Sequence, residues 1–453
     1  MTTGAISPKL LSLAWPLVVG NLLQTAYNLA DMFWVGRVGA ESVAAVSLMF
    51  PTAWLFISVA MGITAAAVAV VSQQVGAGDE RAAEHAVGQS VVLTVAVGVA
   101  LALVGYAVRN PLVWVIGARG PVFRLSLDYL DVILVSIPFT FLFFAFRAVL
   151  RAAGDTRTAM WLVAGSAGLN IVLDPFLVLG WGPFPAMGVS GAAIATLAAR
   201  VLAAVAGLYI LLDGGWGIRL RLEDLRPDPG VLRTLVDVGY PGTLDGLLRS
   251  LSAVAFAALV ARFGPIVTAA YGIGLRMMSV SWTVSGAIGQ GAATGVGQNL
   301  GARAPDRAGT VAWTATAAAM AILFGFGGVA FAFPSTLMRV FIADPRVIQT
   351  GVTFLRVVAV AWGFVGGLMV LQGAFRGAGF TKHAMALLAF PLGFGALGLW
   401  WGYTATSVVA FVIGAAWFRR GTWEVGLMET GETGQPGSGR REDLPAETES
   451  ATD

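Results

Sequence analysis

The sequence predicts an all-α polytopic membrane protein made of two six-helix halves that run in parallel, and three observations predict it. Of the 453 residues, 57% are apolar and only 12% charged, with a mean hydropathy of +0.79. Soluble domains carry about 25% charged residues, so the bilayer is the expected solvent. Apolar stretches long enough to cross about 30 Å of hydrocarbon recur between short charged turns. The sequence also repeats itself at a single offset of 225 residues. That shift puts Pro16 on Pro241, Gly39 on Gly264, Gln73 on Gln298, Gly76 on Gly301, and Arg151 and Gly154 on Arg376 and Gly379.

The first half offers six spans, at about residues 11–36, 43–74, 86–108, 124–150, 158–180 and 188–212. An even number of crossings leaves both halves in the same orientation, so the axis relating them lies along the membrane normal. The first span lacks a basic start and a small-residue cleavage site and reads as a retained helix. A polar linker with Arg219, Arg221, Glu223, Asp224 and Arg226 follows. The second half has spans at about 233–262, 267–298, 307–333 and 347–375. Between Lys382 and Phe418 only 37 residues remain for two more crossings, so about 12 spans are expected, the eleventh shortened or irregular. The division is an N-lobe (1–226), a C-lobe (227–420) and a disordered acidic tail (421–453) containing Glu442, Asp443, Glu447 and Glu449.

Basic residues in short loops set orientation. One side collects Lys9, Arg81, Arg147, Arg151, Arg219, Arg221, Arg303 and Arg307 among others, about twice as many as the other side. Both termini are therefore expected in the cytoplasm, in a multi-pass protein of the plasma or inner membrane.

Ionisable groups inside spans point to function. Asn21, Gln24, Asn28 and Asp31 recur at helical spacing and form one polar stripe on the first helix, with Tyr27 beside Asp31. On the fifth helix Asn170 and Asp174 share a face, followed by Pro175. Counting about 1.5 Å per residue, Asp31 and Asp174 each lie about 8–9 Å from the outer helix end, and Thr196 on the sixth helix comes within about 12 Å of it. A carboxylate pair in low dielectric is not expected to be fully ionised. Such a cluster can hold a proton, a metal cation or a positively charged substrate, but not all together. At the repeat positions of Asp31 and Asp174 stand Phe256 and Leu399, which assigns the site to the N-lobe alone. Pro16, inside its span, removes one backbone donor and is expected to act as a hinge.

Other features read more plainly. Asp131 and Arg356 are repeat mates of opposite charge, for which solvated positions are expected ahead of an interlobe gate. Asp245 and Arg249 are expected to neutralise each other, and His85 and His383 to be solvated. The sequence Gly393-Phe-Gly-Ala-Leu-Gly398 matches a dinucleotide fingerprint, yet no strand precedes it, so it reads as helix packing. The spacing Gly297 to Gly301 likewise means close helix approach. With no Cys in the chain, thiolate metal sites and Cys nucleophiles are excluded.

With these residues in place the chain resembles the multidrug and toxic compound extrusion (MATE) family, in its DNA-damage-inducible (DinF-type) branch. The resemblance spans about residues 8–420 and rests on Pro16, Gln24-Thr25, Tyr27 to Asp31 with Trp34-Val35-Gly36, Leu150 to Arg157, and Asn170 to Pro175. It implies two six-helix lobes around a central cleft and export of cationic or amphipathic drugs by alternating access. It also implies a cation site at Asp31, Asn170 and Asp174 with Tyr27 and Thr196, and a first helix that bends at Pro16. This chain departs from the branch at Arg147, where members often carry Asn.

The expected function is secondary active multidrug efflux, antiported against protons or sodium, with sodium held at Asp31, Asn170, Asp174 and Thr196 if it is the coupling ion. No cofactor and no nucleic acid are expected. The expected partners are organic cations and membrane lipids, and a monomer is expected. The alternatives are a lipid or oligosaccharide-lipid flippase, which would favour a strongly basic cavity, and a non-functional paralogue. An enzyme is not expected, for lack of a nucleophile or metal set.

Overall fold

The computed structural model describes residues 2–215, 217–379, 395–424 and 427, and no strand occurs among them. The helices are α1 (Ile6–Gly36), α2 (Ala40–Ala77), α3 (Glu80–Val115), α4 (Gly120–Ala153), α5 (Thr156–Leu179) and α6 (Gly188–Asp213), then a single 3-10 turn (Leu222–Leu225). Beyond it come α7 (Pro229–Ala261), α8 (Pro265–Gly301), α9 (Pro305–Ala332), α10 (Pro334–Phe341), α11 (Pro345–Val358), α12 (Ala361–Gly377) and α13 (Gly395–Arg419). Among the described residues eight helices are long and apolar enough to cross a membrane, and α11 with α12 makes a ninth. The 225-residue repeat assigns α1–α6 to the first half of the chain, here the N-lobe, and α7–α13 to the second, the C-lobe, with α7 packed chiefly on α2. The α2–α3 and α4–α5 turns are short because glycine ends one helix and aspartate starts the next. Gly78 and Gly154 sit in the left-handed region, and the Asp79 and Asp155 side chains accept from the N–H groups of Ala82 and Thr158.

The repeat mate of Gly78 is Arg303, the one non-glycine residue with positive φ (54°) among the described residues. A side chain there costs about 1–2 kcal/mol. Part of that is returned to the unfolded chain when glycine replaces it. Arg303 is exposed, so Arg303→Gly is expected to raise the thermal midpoint in detergent, by a net of about 0.5–1 kcal/mol.

The tenth span differs from expectation. Its N-lobe counterpart α4 is continuous, whereas α11 and α12 meet at a 52° bend. No proline lies at the break. Thr404 of α13 donates to the Val357 carbonyl at 3.0 Å, and a side chain inserted into the ladder is a recognised cause of kinks. The shortened or irregular eleventh span expected after Lys382 falls largely outside the described residues, which also leave out His383 and Gly393.

The lobes join toward the side at which α1 begins. Gln73 donates to the Gly377 carbonyl at 3.1 Å, and its repeat mate Gln298 donates to the Ala152 carbonyl at 2.8 Å. Those two acceptors are themselves repeat mates, so the contact has its own local two-fold symmetry. A methyl group at Gly76 or at Gly301 would overlap the carbonyl of Gln298 or Gln73 respectively. Glycine at both positions is therefore what lets α2 and α8 touch.

The segment assigned to a disordered tail begins differently. Trp423 stacks on Phe418 at 4.3 Å and donates to its carbonyl, and the Leu427 N–H donates to Gln73 Oε1 at 2.8 Å. Both side chains are buried. The first residues past α13 therefore pack onto the interlobe contact, and residues 428–453 lie outside the described residues.

His85, expected to be solvated, is held between Asp224 (3.0 Å) and Asp228 (3.2 Å). With Arg81 and the fully buried Gln89, which accepts from the Asp228 N–H and donates to the carbonyls of Asp224 and Arg226, it pins the linker to α3. Burial pushes the Asp224 carboxyl up, but hydrogen bonds from Arg81 and His85 outweigh it and hold it below the usual range. The His85 hydrogen bond does the same for Asp228.

Candidate functional site

Helix α5 lies between α1 and α6 in the N-lobe, and each contributes polar residues one turn apart. Ser166, Asn170 and Asp174 of α5 are spaced by four, as are Thr196 and Arg200 of α6, while Gln24, Tyr27 and Asp31 of α1 follow at three and four. The three rows meet along a narrow internal cleft lined by Gln24, Tyr27, Ser166, Asn170, Thr196 and Arg200.

Asn170 and Asp174 are 1% and 0% exposed. With the Asn170 amide nitrogen toward Asp174 it donates to Oδ2 at 3.3 Å, and its oxygen accepts from the Thr196 hydroxyl (3.2 Å) and backbone N–H (3.0 Å). Asp31 is within electrostatic reach of Asp174, and both bear on the hydroxyls of Tyr27 and Tyr129. Asp31 Oδ1 and Asp174 Oδ1 are buried with no hydrogen-bond donor. A carboxylate only accepts, so each orphaned oxygen is satisfied when a proton or cation arrives. Among the described residues no three His, Cys, Asp or Glu side chains converge as a metal site. Two carboxylates, an amide and a hydroxyl are hard oxygen donors, suited to a proton or a cation of the sodium type.

The sequence-predicted residues thus divide. Tyr27, Asp31, Asn170, Asp174 and Thr196 come together. Asn28 does not join them; it is exposed and makes no hydrogen bond among the described residues. Pro16 is buried within α1, which runs through it as one unbroken helix. In the C-lobe, Phe256 sits at the repeat position of Asp31 in an aromatic core with Tyr271 (5.5 Å) and Trp400 (6.4 Å).

Asp131 pairs with Arg109 at 3.1 Å within the N-lobe and Arg356 is exposed, so these repeat mates form no interlobe ion pair, as expected, whereas other charge readings change. Asp245 takes both Arg249 (3.2 Å) and Arg376, so that group carries one carboxylate and two guanidiniums and is not neutral. The N-lobe interior is not purely acidic either. Arg200 (6% exposed) donates to Gln24 Oε1 and Ser166 Oγ, both at 3.4 Å, and Arg147, expected at the membrane edge, is buried inside α4. Arg200 enters the site unforeseen, although as the only charge in residues 188–212 it carried the signal that marks intramembrane function.

The MatE family model matches residues 16–176 and 241–401, two stretches that begin and end 225 residues apart. The chain is 27% identical over 428 residues to "Probable multidrug resistance protein YoeA" of Bacillus subtilis (strain 168), covering 88% of this chain and 90% of that protein. It is 27% identical over 380 residues to a FAD transporter of Shewanella oneidensis, covering 83% of each. A MOP superfamily transporter from Pyrococcus furiosus superposes with a TM-score of 0.85 at 24% identity, over 92% of this chain and 96% of that one.

Proposed function

The chain belongs to the MATE family of multi-pass membrane transporters, and from that premise we propose that it is a secondary active exporter of cationic or amphipathic organic compounds. The observation that carries this reading is the pair of buried, orphaned carboxylate oxygens at Asp31 and Asp174, set beside Asn170, Thr196 and Tyr27. The names of relatives as multidrug resistance proteins support efflux. The acidic pair supports antiport against a proton or sodium, and the branch resemblance in the first and fifth helices points the same way.

In this mechanism a proton or cation entering from the side opposite the α1 start satisfies Asp31 and Asp174. Helix α1 then shifts about Pro16, the substrate leaves outward, and release of the ion inward resets the protein. Coupling arises because the two states differ in affinity for ion and substrate. With both termini in the cytoplasm, the Gln73 and Gln298 contact is the inner gate.

Purified protein in vesicles should transport a fluorescent organic cation when a pH or a sodium gradient is imposed, and the gradient that works identifies the coupling ion. Equal rates with no gradient at all would reject antiport.

A further inference from the structure

Helix α4 carries Arg147 and Arg151 four residues apart, on one face. The Arg147 guanidinium carbon lies 5.8 Å from the centroid of the Phe143 ring, and that of Arg200 lies 4.2 Å from the same centroid. The two carbons can therefore be no further apart than the sum of those distances. Arg147 is 9% exposed. Among the described residues no carboxylate, carbonyl or hydroxyl accepts from it, and no ion pair includes Arg147, Arg151 or Arg200. Arg151 reaches across to the C-lobe, donating through Nη1 to Gln290 Oε1 of α8 at 2.6 Å, while its Nε is buried without an acceptor.

An arginine cannot shed its charge as a carboxyl group can. Burying guanidinium groups without counter-charge is strongly unfavourable. Neutral partners such as Gln24, Ser166 and the Phe143 face offset only part of this. A planar guanidinium whose fork is unengaged, beside a second cation, is the arrangement that holds a carboxylate or a phosphate. Arg151, at the interlobe contact, connects this patch to the space between the lobes.

We propose that Arg147, Arg151 and Arg200 form an oxyanion subsite in the N-lobe, which binds a carboxylate or phosphate group of the transported compound. The proposal rests on the exporter reading and narrows it: the substrate is an amphiphile that carries an anionic group, alone or together with a cationic one. Arg147 binds the oxyanion, Arg151 closes over it from the lobe boundary, and Arg200 supplies positive potential from the side of Asp31 and Asp174.

The test uses a rhodamine free acid and its methyl ester, which differ by one carboxylate, with the full chain in phosphatidylcholine nanodiscs. Wild type should bind the acid about tenfold more tightly than the ester, the scale of one charge-assisted contact. Arg147→Gln should bring the two affinities to within about twofold, and Arg200→Gln should reduce the preference without abolishing it. Ester binding that is retained or tighter, as expected when a positive charge leaves the neighbourhood of a cationic dye, shows that the variants are folded, and Arg147→Lys should keep part of the preference. Without ligand, Arg147→Gln should raise the thermal midpoint, because it removes an uncompensated buried charge; an arginine needed only for packing would lower it. Equal affinities in wild type, or a preference that survives Arg147→Gln, would overturn the subsite. If phosphatidylglycerol in the nanodisc displaces the acid from wild type and not from Arg147→Gln, the site stands and its oxyanion is a lipid headgroup. Without such displacement the oxyanion belongs to a soluble compound. A clear acid preference with no gradient-driven transport of either dye leaves the subsite standing and rejects the exporter. Transport without preference does the reverse.

Discussion

Gradient-driven uptake of a fluorescent cation into vesicles should fall at least about tenfold in Asp31→Asn and in Asp174→Asn, which corresponds to losing about 1.4 kcal/mol of coupling. The physical reason is local. Each substitution replaces a carboxylate oxygen that has no donor with an amide, which carries no negative charge and cannot exchange a proton. Asn170 and Thr196 remain in place to hold the helices together, so the variants should insert and fold. Because the two carboxylates serve one ion, the double variant should lose no more than the weaker single one, a non-additivity expected of groups acting as a unit. Undiminished uptake by either single variant would remove that residue from the ion path.

The second large effect concerns the lobe boundary. A Cβ built on Gly297 of α8 falls 3.0 Å from the Cβ of Ser72 of α2, tighter than the spacing of about 3.5–4.5 Å that a disulfide bridges, so α2 and α8 must ease apart by about 0.5–1 Å to take a thiol pair there. The chain has no native Cys, so Ser72→Cys with Gly297→Cys makes a single thiol pair. Oxidation should cross-link it once the helices have eased apart, and depress uptake at least about tenfold, since rocking the lobes apart is needed for alternating access. Reductant should restore the rate, and the single Ser72→Cys variant should not respond to oxidation. Full transport with the pair quantitatively linked would mean that the lobes do not part at Gln73 and Gln298.

The bent tenth span and the docked segment after α13 both rest on contacts distant in sequence. Thr404 donates to the Val357 carbonyl beside the bend, and the Leu427 N–H caps Gln73, which bonds across the lobe boundary. Neither partner is near in sequence. The first pair is separated by 47 residues and the second by 354.

What the sequence by itself determined was one-dimensional. Hydropathy set the solvent and the helical class, because a backbone in lipid must satisfy its own hydrogen bonds. The 225-residue offset set the two-lobe plan, and spacing of three and four placed Tyr27, Asp31, Asn170 and Asp174 on their helix faces. Tertiary structure alone decided how those faces are turned and what they meet. Periodicity fixes a stripe around a helix axis, but not the rotation of the helix against its neighbours, which packing sets. That is why Asn28 faces away from the carboxylates, why Arg200 and Arg147 converge on Phe143 inside the lobe, why His85 grips the linker, and why Asp245 holds two arginines where its own helix showed one.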